Sequence, residues 1–519
     1  MKGCLHDVTT LGRCPNPRDD DVFKNAKLAK YWSYFLNKRP PSSIAEWFTG
    51  NTFSKTSASP SFMASGQLVK QEASIWRQML MHVDTITKSN APAPYATCDI
   101  APIDVVLKCF FVPDKWCKPR KPISQTYTME TYNKENRSID MDRLGLTYEK
   151  DVYSCVVANL EEVPFFVFPL ATVQKRCTQE EITDYENNAL GTKKDNIDWQ
   201  LLTMLVNDKY HCLTPGTWNI TVSENCGRTT LNDYIKIPEY YLEEVRKLMK
   251  QRLAVQRPVT RANPGVALKP MSYNMHRWAV KRGLLVNASA MNMTVEQFET
   301  LERAFKRKYL VAVMQLLTGL KIMQVHGLCH NDLHFGNILV KEGESFYFDC
   351  ELKKVISDDD EIKRATFFEE AIQMDDMVKI FDWDRAHADK QGTNGLLRYY
   401  PYYTKKYNKS ADMLSALRQL KLYDIMSKST KTMERLETSP ETKWAMADTF
   451  EIDGRTFDKR DYPQIACKPI GKGDPSGFKE CDEWPEEAHD LINKWAEEVY
   501  EYARSTVKKM DVQDAYINA

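Results

Sequence analysis

The stretch His330-Asn331-Asp332-Leu333-His334-Phe335-Gly336-Asn337 constrains this chain more than any other. It is a short polar run held between a long amphipathic segment and the apolar run Ile338-Leu339-Val340. That context predicts a loop joining a core helix to a strand. The residue types also carry chemistry. A carboxylate five residues before a carboxamide suits phosphoryl transfer: Asp332 can accept a hydroxyl proton, and Asn337 can offer its carbonyl oxygen to a magnesium ion. Downstream, Ile380-Phe381-Asp382-Trp383-Asp384 reads as an apolar strand ending in a carboxylate, the place for a second magnesium ligand. A plain polar turn would explain the first run alone, but not the pair.

The flanking pattern supports the helix. Thr294-Val295-Glu296-Gln297 has the form of a capping box. From Phe298 through Leu301, Phe305, Leu310, Val313, Leu316, Leu317 and Leu320 to Met323, apolar residues fall near one helical stripe. Gly327 then suits the left-handed position that ends a helix.

Further upstream, Asp104–Val112 reads as a strand from its β-branched and aromatic content. Lys108 stands in its middle, which is costly unless the ammonium finds a partner. Leu144–Tyr153 has apolar residues at helical spacing and offers Glu149; Glu161 and Glu162 are weaker candidates. Val163–Phe168 reads as a buried strand. Trp218–Gly227 reads as a strand running into a turn, and Leu231–Ile235 as the start of a helix. The Ser- and Thr-rich span Asn51–Gln67 lacks Gly-x-Gly-x-x-Gly spacing and reads as a surface loop, although its small residues could cradle phosphate.

Together these pieces resemble the protein-kinase-like superfamily, over roughly residues 51–400. The resemblance implies an α+β, bilobed protein-kinase-like fold with a small β-rich N-lobe, a larger helical C-lobe and large insertions. It divides the chain into an N-terminal extension (1–50), an N-lobe with ATP-binding strands and hinge (51–226), and a C-lobe (227–519). The last holds the catalytic loop, insertions at about 246–282 and 342–375, and a C-terminal helical region. Carried onto this sequence, Asp332 is the catalytic base, His330 braces the loop through nearby backbone, and Asn337 and Asp382 hold Mg2+ or Mn2+. Asp384 rivals Asp382; Asp382 is preferred because it directly follows the apolar strand. Lys108 neutralises ATP phosphates and pairs with Glu149, and backbone groups near Glu224–Cys226 meet the adenine edge, where side-chain identity matters little. His334 departs from the Lys usual in eukaryotic protein kinases. It is similar to aminoglycoside, choline and some viral kinases. The large insertions look like the serine/threonine kinases of large DNA viruses, some of them packaged in virions.

The expected function is therefore an ATP-dependent serine/threonine protein kinase. The alternatives are a small-molecule kinase of the aminoglycoside or choline type, and a catalytically weak kinase-like structural protein of a virion. Composition is compatible with each: 519 residues, 43% hydrophobic, with 71 basic against 71 acidic side chains. Balanced charge gives no indication of nucleic acid as a partner. The one exception is the basic insertion 246–282, with ten Lys or Arg and no acid; it reads as a solvated surface or a docking patch for acidic protein. Thirteen scattered cysteines, with no framework spacing, point to free thiols in a reducing compartment, hence the cytoplasm or a virion. No stretch approaches eighteen uninterrupted apolar residues, so no transmembrane helix is expected.

Overall fold

The computed structural model describes residues 44–51, 53–55, 61–68, 104–114, 129–157, 165–188, 196–207, 213–236, 239, 242–243, 245–247, 294–348, 372–392, 394–398, 408–420, 430–438, 449–452, 455–458 and 484–518. The segment Phe23–Leu36, Glu161 and Glu162, the Asp358–Glu361 run, the Tyr399–Tyr403 cluster and all but Arg246 and Lys247 of the basic insertion lie outside them. Within the described residues, helices and strands mix around an antiparallel sheet.

That sheet contains β1 (Phe48–Gly50), β2 (Ser54–Lys55), β3 (Ser61–Leu68), β4 (Asp104–Pro113), β5 (Pro169–Cys177) and β6 (Gly216–Glu224), in the order β1-β3-β4-β6-β5 with β2 also on β3. Alternation along β4 explains its two roles. Val105, Leu107, Cys109 and Phe111 all face one core with Trp218, Ile220 and Val222 of β6. Successive side chains of a strand point to opposite faces, so Lys108 is directed away from that core.

The span Asn51–Gln67 is not a surface loop. Ser54–Lys55 pairs with Phe62–Met63, and half of β3 is buried. Gly66 explains how β1 fits: a Cβ there would lie 2.2 Å from Thr49 O, so only glycine allows the approach. Thr56–Pro60, at the tip, lies outside the described residues.

The second core is built on helices. α1 (Met129–Cys155) precedes β5, and α2 (Gln179–Asn188) and α3 (Ile197–Asn207) follow it. α4 (Val295–Val325) begins at the expected capping box and ends at Gly327, whose φ is 63°. Its middle, Leu310–Leu320, is buried all round. Against it lie the hairpin of β8 (Ile338–Phe348) and β9 (Ile372–Ile380), α5 (Ala411–Gln419), α6 (Thr430–Thr438) and α7 (Glu486–Asn518). β7 (Leu328–Cys329) and β10 (His387–Ala388) form a small pair beside it, and β11 (Thr449–Ile452) pairs with β12 (Arg455–Asp458).

One buried amide shows how α4 and the hairpin fit. The free edge of β9 would leave backbone groups unpaired. Gln315 Nε2 donates to Asp376 O (2.8 Å) and its Oε1 accepts from Val378 N (2.8 Å). Phe165 and Val167 complete the edge at Ile380. This is why residues 165–168 are not the buried strand expected of Val163–Phe168: they cross to β9, and the strand begins only at Pro169.

Two other expectations change. The excess chain between Asn337 and Asp382 lengthens the hairpin, since Phe346–Phe348 pairs with Ile372–Met374. The cores also interleave along the sequence. Ile44, Trp47 and Phe48 already belong to the sheet core, while Tyr148–Val157 of α1 packs into the helical one. No helix among the described residues is long and apolar enough to cross a membrane.

Candidate active site

Three elements distant in sequence meet where the β8–β9 hairpin ends. Lys108 Nζ, from β4, lies 2.7 Å from Glu149 Oε2 on α1 and 2.8 Å from Asp382 Oδ1 just past β9. Glu149 is thus the helix partner of Lys108. Burial disfavours the charged form of Lys108, yet the two carboxylates hold its pKa well above the usual lysine value. Asp382 has φ of 73°, a left-handed conformation that turns the chain at the strand end. Burial opposes its charge, but Lys108 holds its carboxyl below the usual range.

Asp384 is in the opposite state. Burial and the charge of Asp382 push its carboxyl well above the usual range. Two neighbouring carboxylates with one shared lysine leave an excess of negative charge that a divalent cation would relieve. Among the described residues no group of three or more His, Cys, Asp or Glu side chains converges as a metal site. Magnesium does not need one; it is commonly held by one or two carboxylates with phosphate oxygens and water. Asn337 Nδ2 donates to Asp332 O (3.0 Å), and no described hydrogen bond uses its Oδ1. Asp382, Asn337 and Asp384 therefore fit a hard cation by the chemistry of their donors.

The His330–Asn337 loop is braced from three sides. His330 Nε2 is 2.8 Å from Phe381 O, the expected contact to nearby backbone, and its ring packs 4.8 Å from that of the buried Trp383. Asp412 Oδ2 and Oδ1 accept from the backbone N–H of His330 (2.5 Å) and Asn331 (3.1 Å). Those two bonds hold Asn331 at φ 62°. Ser415 Oγ donates to Leu333 O, and Gln419 contacts both Leu333 O and Phe335 N. Asp412, Ser415 and Gln419 share one face of α5, at i, i+3 and i+7. Sequence reasoning missed all three. Their signal was a polar stripe on a short helix whose other positions, Arg418 apart, are apolar.

Asp332 is buried at the centre of this loop. Its Oδ2 accepts from Arg385 Nη1 at 2.5 Å, while its Oδ1 is buried without a hydrogen-bond partner among the described residues. Buried acceptors are usually satisfied, so an orphan carboxylate oxygen on this loop points to an absent donor. Burial raises its pKa, and Arg385, His334 and His330 oppose the rise. His334 Nδ1 accepts from Gly336 N (3.0 Å), and burial keeps the ring's pKa below the ordinary histidine value.

No protein-family model matches this chain, and no curated protein matches its sequence. The reading of the site rests on its own geometry.

The side chain of Glu224 has a role that the sequence does not suggest. Glu224 N donates to Phe168 O (3.0 Å) within the sheet. Its side chain is an interior anchor: Oε1 is 2.6 Å from Lys379 Nζ and Oε2 is 3.5 Å from Lys341 Nζ. Side-chain identity at 224 therefore matters, because two lysines depend on it. Cys226 is buried. With Cys109, Cys177 and Cys329 it is one of four free thiols among the described residues.

Proposed function

We propose that this protein is an ATP-dependent phosphotransferase of protein-kinase-like, bilobed architecture, acting on serine or threonine hydroxyls of proteins. One observation carries the reading: Lys108, Glu149 and Asp382 meet within hydrogen-bonding distance, next to a braced loop that presents the orphan Oδ1 of Asp332. No structural need explains a surplus of carboxylates around one half-buried lysine.

In this reading the acceptor hydroxyl binds against Asp332 Oδ1, which takes its proton as the oxygen attacks the γ-phosphorus. The bond from that phosphorus to the β–γ bridging oxygen breaks and ADP leaves. Lys108 holds phosphate oxygens, Glu149 keeps its ammonium aimed, and Asp412 keeps the loop in register. A magnesium or manganese ion held by Asp382 and Asn337, with Asp384 adjacent, would neutralise charge on the phosphates. Positioning and charge stabilisation then supply most of the acceleration.

A second reading keeps the chemistry and changes the acceptor to a small hydroxyl-bearing metabolite. His334 favours it, since the small-molecule kinases it resembles place histidine there. Purified protein with labelled ATP and magnesium or manganese tests both. The account expects label on casein or on the protein itself, with none in the Asp332→Ala variant. Label on choline or an aminoglycoside, with none on any protein, selects the second reading. No transfer to any acceptor overturns both.

A further inference from the structure

Among the described residues, Arg385 is the Lys or Arg whose side chain touches the proposed base, and nothing in the resemblance assigns it a role. Its Nη1 lies 2.5 Å from Asp332 Oδ2, and its Nε lies 4.0 Å from Asp384 Oδ1. The side chain is 32% exposed, so it borders the cleft rather than the core. The residue that would supply a cation to this loop by resemblance is His334, and its Nδ1 is occupied as an acceptor from Gly336 N. The loop has no Lys or Arg of its own between His330 and Asn337, and Arg385 brings a permanent cation from the far side of Asp382.

The backbone around Arg385 is fixed to the same loop. Asn331 Nδ2 donates to Arg385 O (3.1 Å). Asn394 Nδ2 donates to Asp384 O (2.9 Å) and Ala386 O (3.0 Å), bracketing the residue on both sides. Asn394 is fully buried. A swinging latch would need a hinge here, whereas these bonds hold position 385 in register with Asp332. The guanidinium at 2.5 Å, with Asn337 Nδ2 farther off at 3.4 Å, occupies Oδ2, and among the described residues Oδ1 is left without a hydrogen-bond partner.

We propose that Arg385 is a positioning residue for phosphoryl transfer: it ties down Oδ2 of Asp332, so that Oδ1 alone meets the acceptor hydroxyl, and it sets a permanent cation beside the loop, whose own sequence has no Lys or Arg. This rests on the function proposed above. Proton transfer is unchanged in its balance. The hydroxyl proton passes to Asp332 Oδ1, and Arg385 keeps its own protons throughout.

The test compares wild type with Arg385→Ala, Arg385→Lys and Asp332→Ala, using labelled ATP, magnesium and casein, with melting temperature recorded for each. A base left free to rotate should lose roughly 10- to 100-fold in kcat in Arg385→Ala. KM for ATP should stay within about twofold, because the loss falls on the reacting geometry and not on nucleotide binding. Arg385→Lys should be intermediate, since a point charge replaces a planar fork. Guanidinium chloride at low, non-denaturing concentration should restore part of the activity of Arg385→Ala and none of Asp332→Ala. Unchanged kcat in Arg385→Ala would make the pair merely structural. Increased kcat would make it an inhibitory latch, and a raised KM for ATP at constant kcat would make it a nucleotide contact; each overturns the proposal. A fall in activity that tracks melting temperature, with no guanidinium rescue, overturns it as well. If Asp332→Ala is as active as wild type, or wild type transfers to no acceptor, the function itself fails, a result distinct from those above.

Discussion

Two ion clusters join the sheet to the β8–β9 hairpin, and they are built in opposite senses. Lys108–Glu149–Asp382 sets two carboxylates around one lysine, with side chains of Lys108 and Asp382 still 18% and 30% exposed. Glu224–Lys379–Lys341 sets two lysines around one carboxylate, and the Glu224–Lys379 pair is only 8% and 6% exposed. Both pairings offset the cost of taking charge from water. The first is open at its carboxylate Asp382 and carries surplus negative charge beside an unsatisfied base, whereas the second buries its one carboxylate and reaches solvent through Lys341, 20% exposed. The contrast teaches that a buried ion pair alone does not mark a site; its access to solvent and its unbalanced charge do.

The comparison can be broken by removing the lysine from each cluster. Lys379→Met strands Glu224 in the interior and should cost about 3–5 kcal/mol of stability, the usual penalty for breaking a buried pair. Equilibrium denaturation would measure it. Lys108→Met should lose roughly 10²–10³-fold in kcat, the scale of removing one charge-stabilising donor. Its melting temperature should fall less than that of Lys379→Met, because solvent reaches Asp382, one of the two stranded carboxylates, whereas Glu224 is buried. A larger fall for Lys108→Met would make the open cluster the structural one. Because Lys108 is bound to two carboxylates, its removal still costs some stability.

The next effect is smaller and concerns the metal. Asp382→Asn should weaken magnesium-dependent ATP binding more than Asp384→Asn, since Asp382 is held ionised by Lys108 while Asp384 is pushed toward its neutral form. Calorimetric titration of ATP at several magnesium concentrations ranks the two. The reverse order would move the principal ligand to Asp384.

The smallest effect is on stability in acid. Burial opposes the Glu224 carboxylate, but Lys379 and Lys341 hold its pKa below the usual glutamate value. A depressed native pKa contributes stability that is present above the unfolded value and lost as pH falls through the native one. Melting curves between neutral pH and mild acid should therefore decline more steeply in wild type than in Glu224→Gln. Equal slopes would mean that Glu224 carries no such linkage.

Much of this was legible in local sequence. The capping box at Thr294, the stripe from Phe298 to Met323 and Gly327 follow rules that operate within a few residues, and the structure follows them. The interior lysine of β4 announced itself because an ammonium in an apolar strand requires a partner. What the sequence hid depends on elements far apart. Asp412 lies 82 residues from His330 and Arg385 lies 53 from Asp332, and neither sits in a recognisable motif. Glu224 looked like a hinge position whose side chain was free, because nothing in its neighbourhood names Lys379. The Ser-rich span 51–67 looked like a loop from its composition, but pairing with β4 overrides the weak strand propensity of small residues.

The central claim is that Asp332 is the base of a phosphoryl transfer. It is tested most directly by the Asp332→Ala variant in a single-turnover assay with labelled ATP and magnesium, alongside its melting temperature. The account predicts an intact fold, retained ATP binding and a transfer rate lower by roughly 10²–10⁴-fold, the usual contribution of a general base. A folded Asp332→Ala protein that transfers phosphate at the wild-type rate would contradict it.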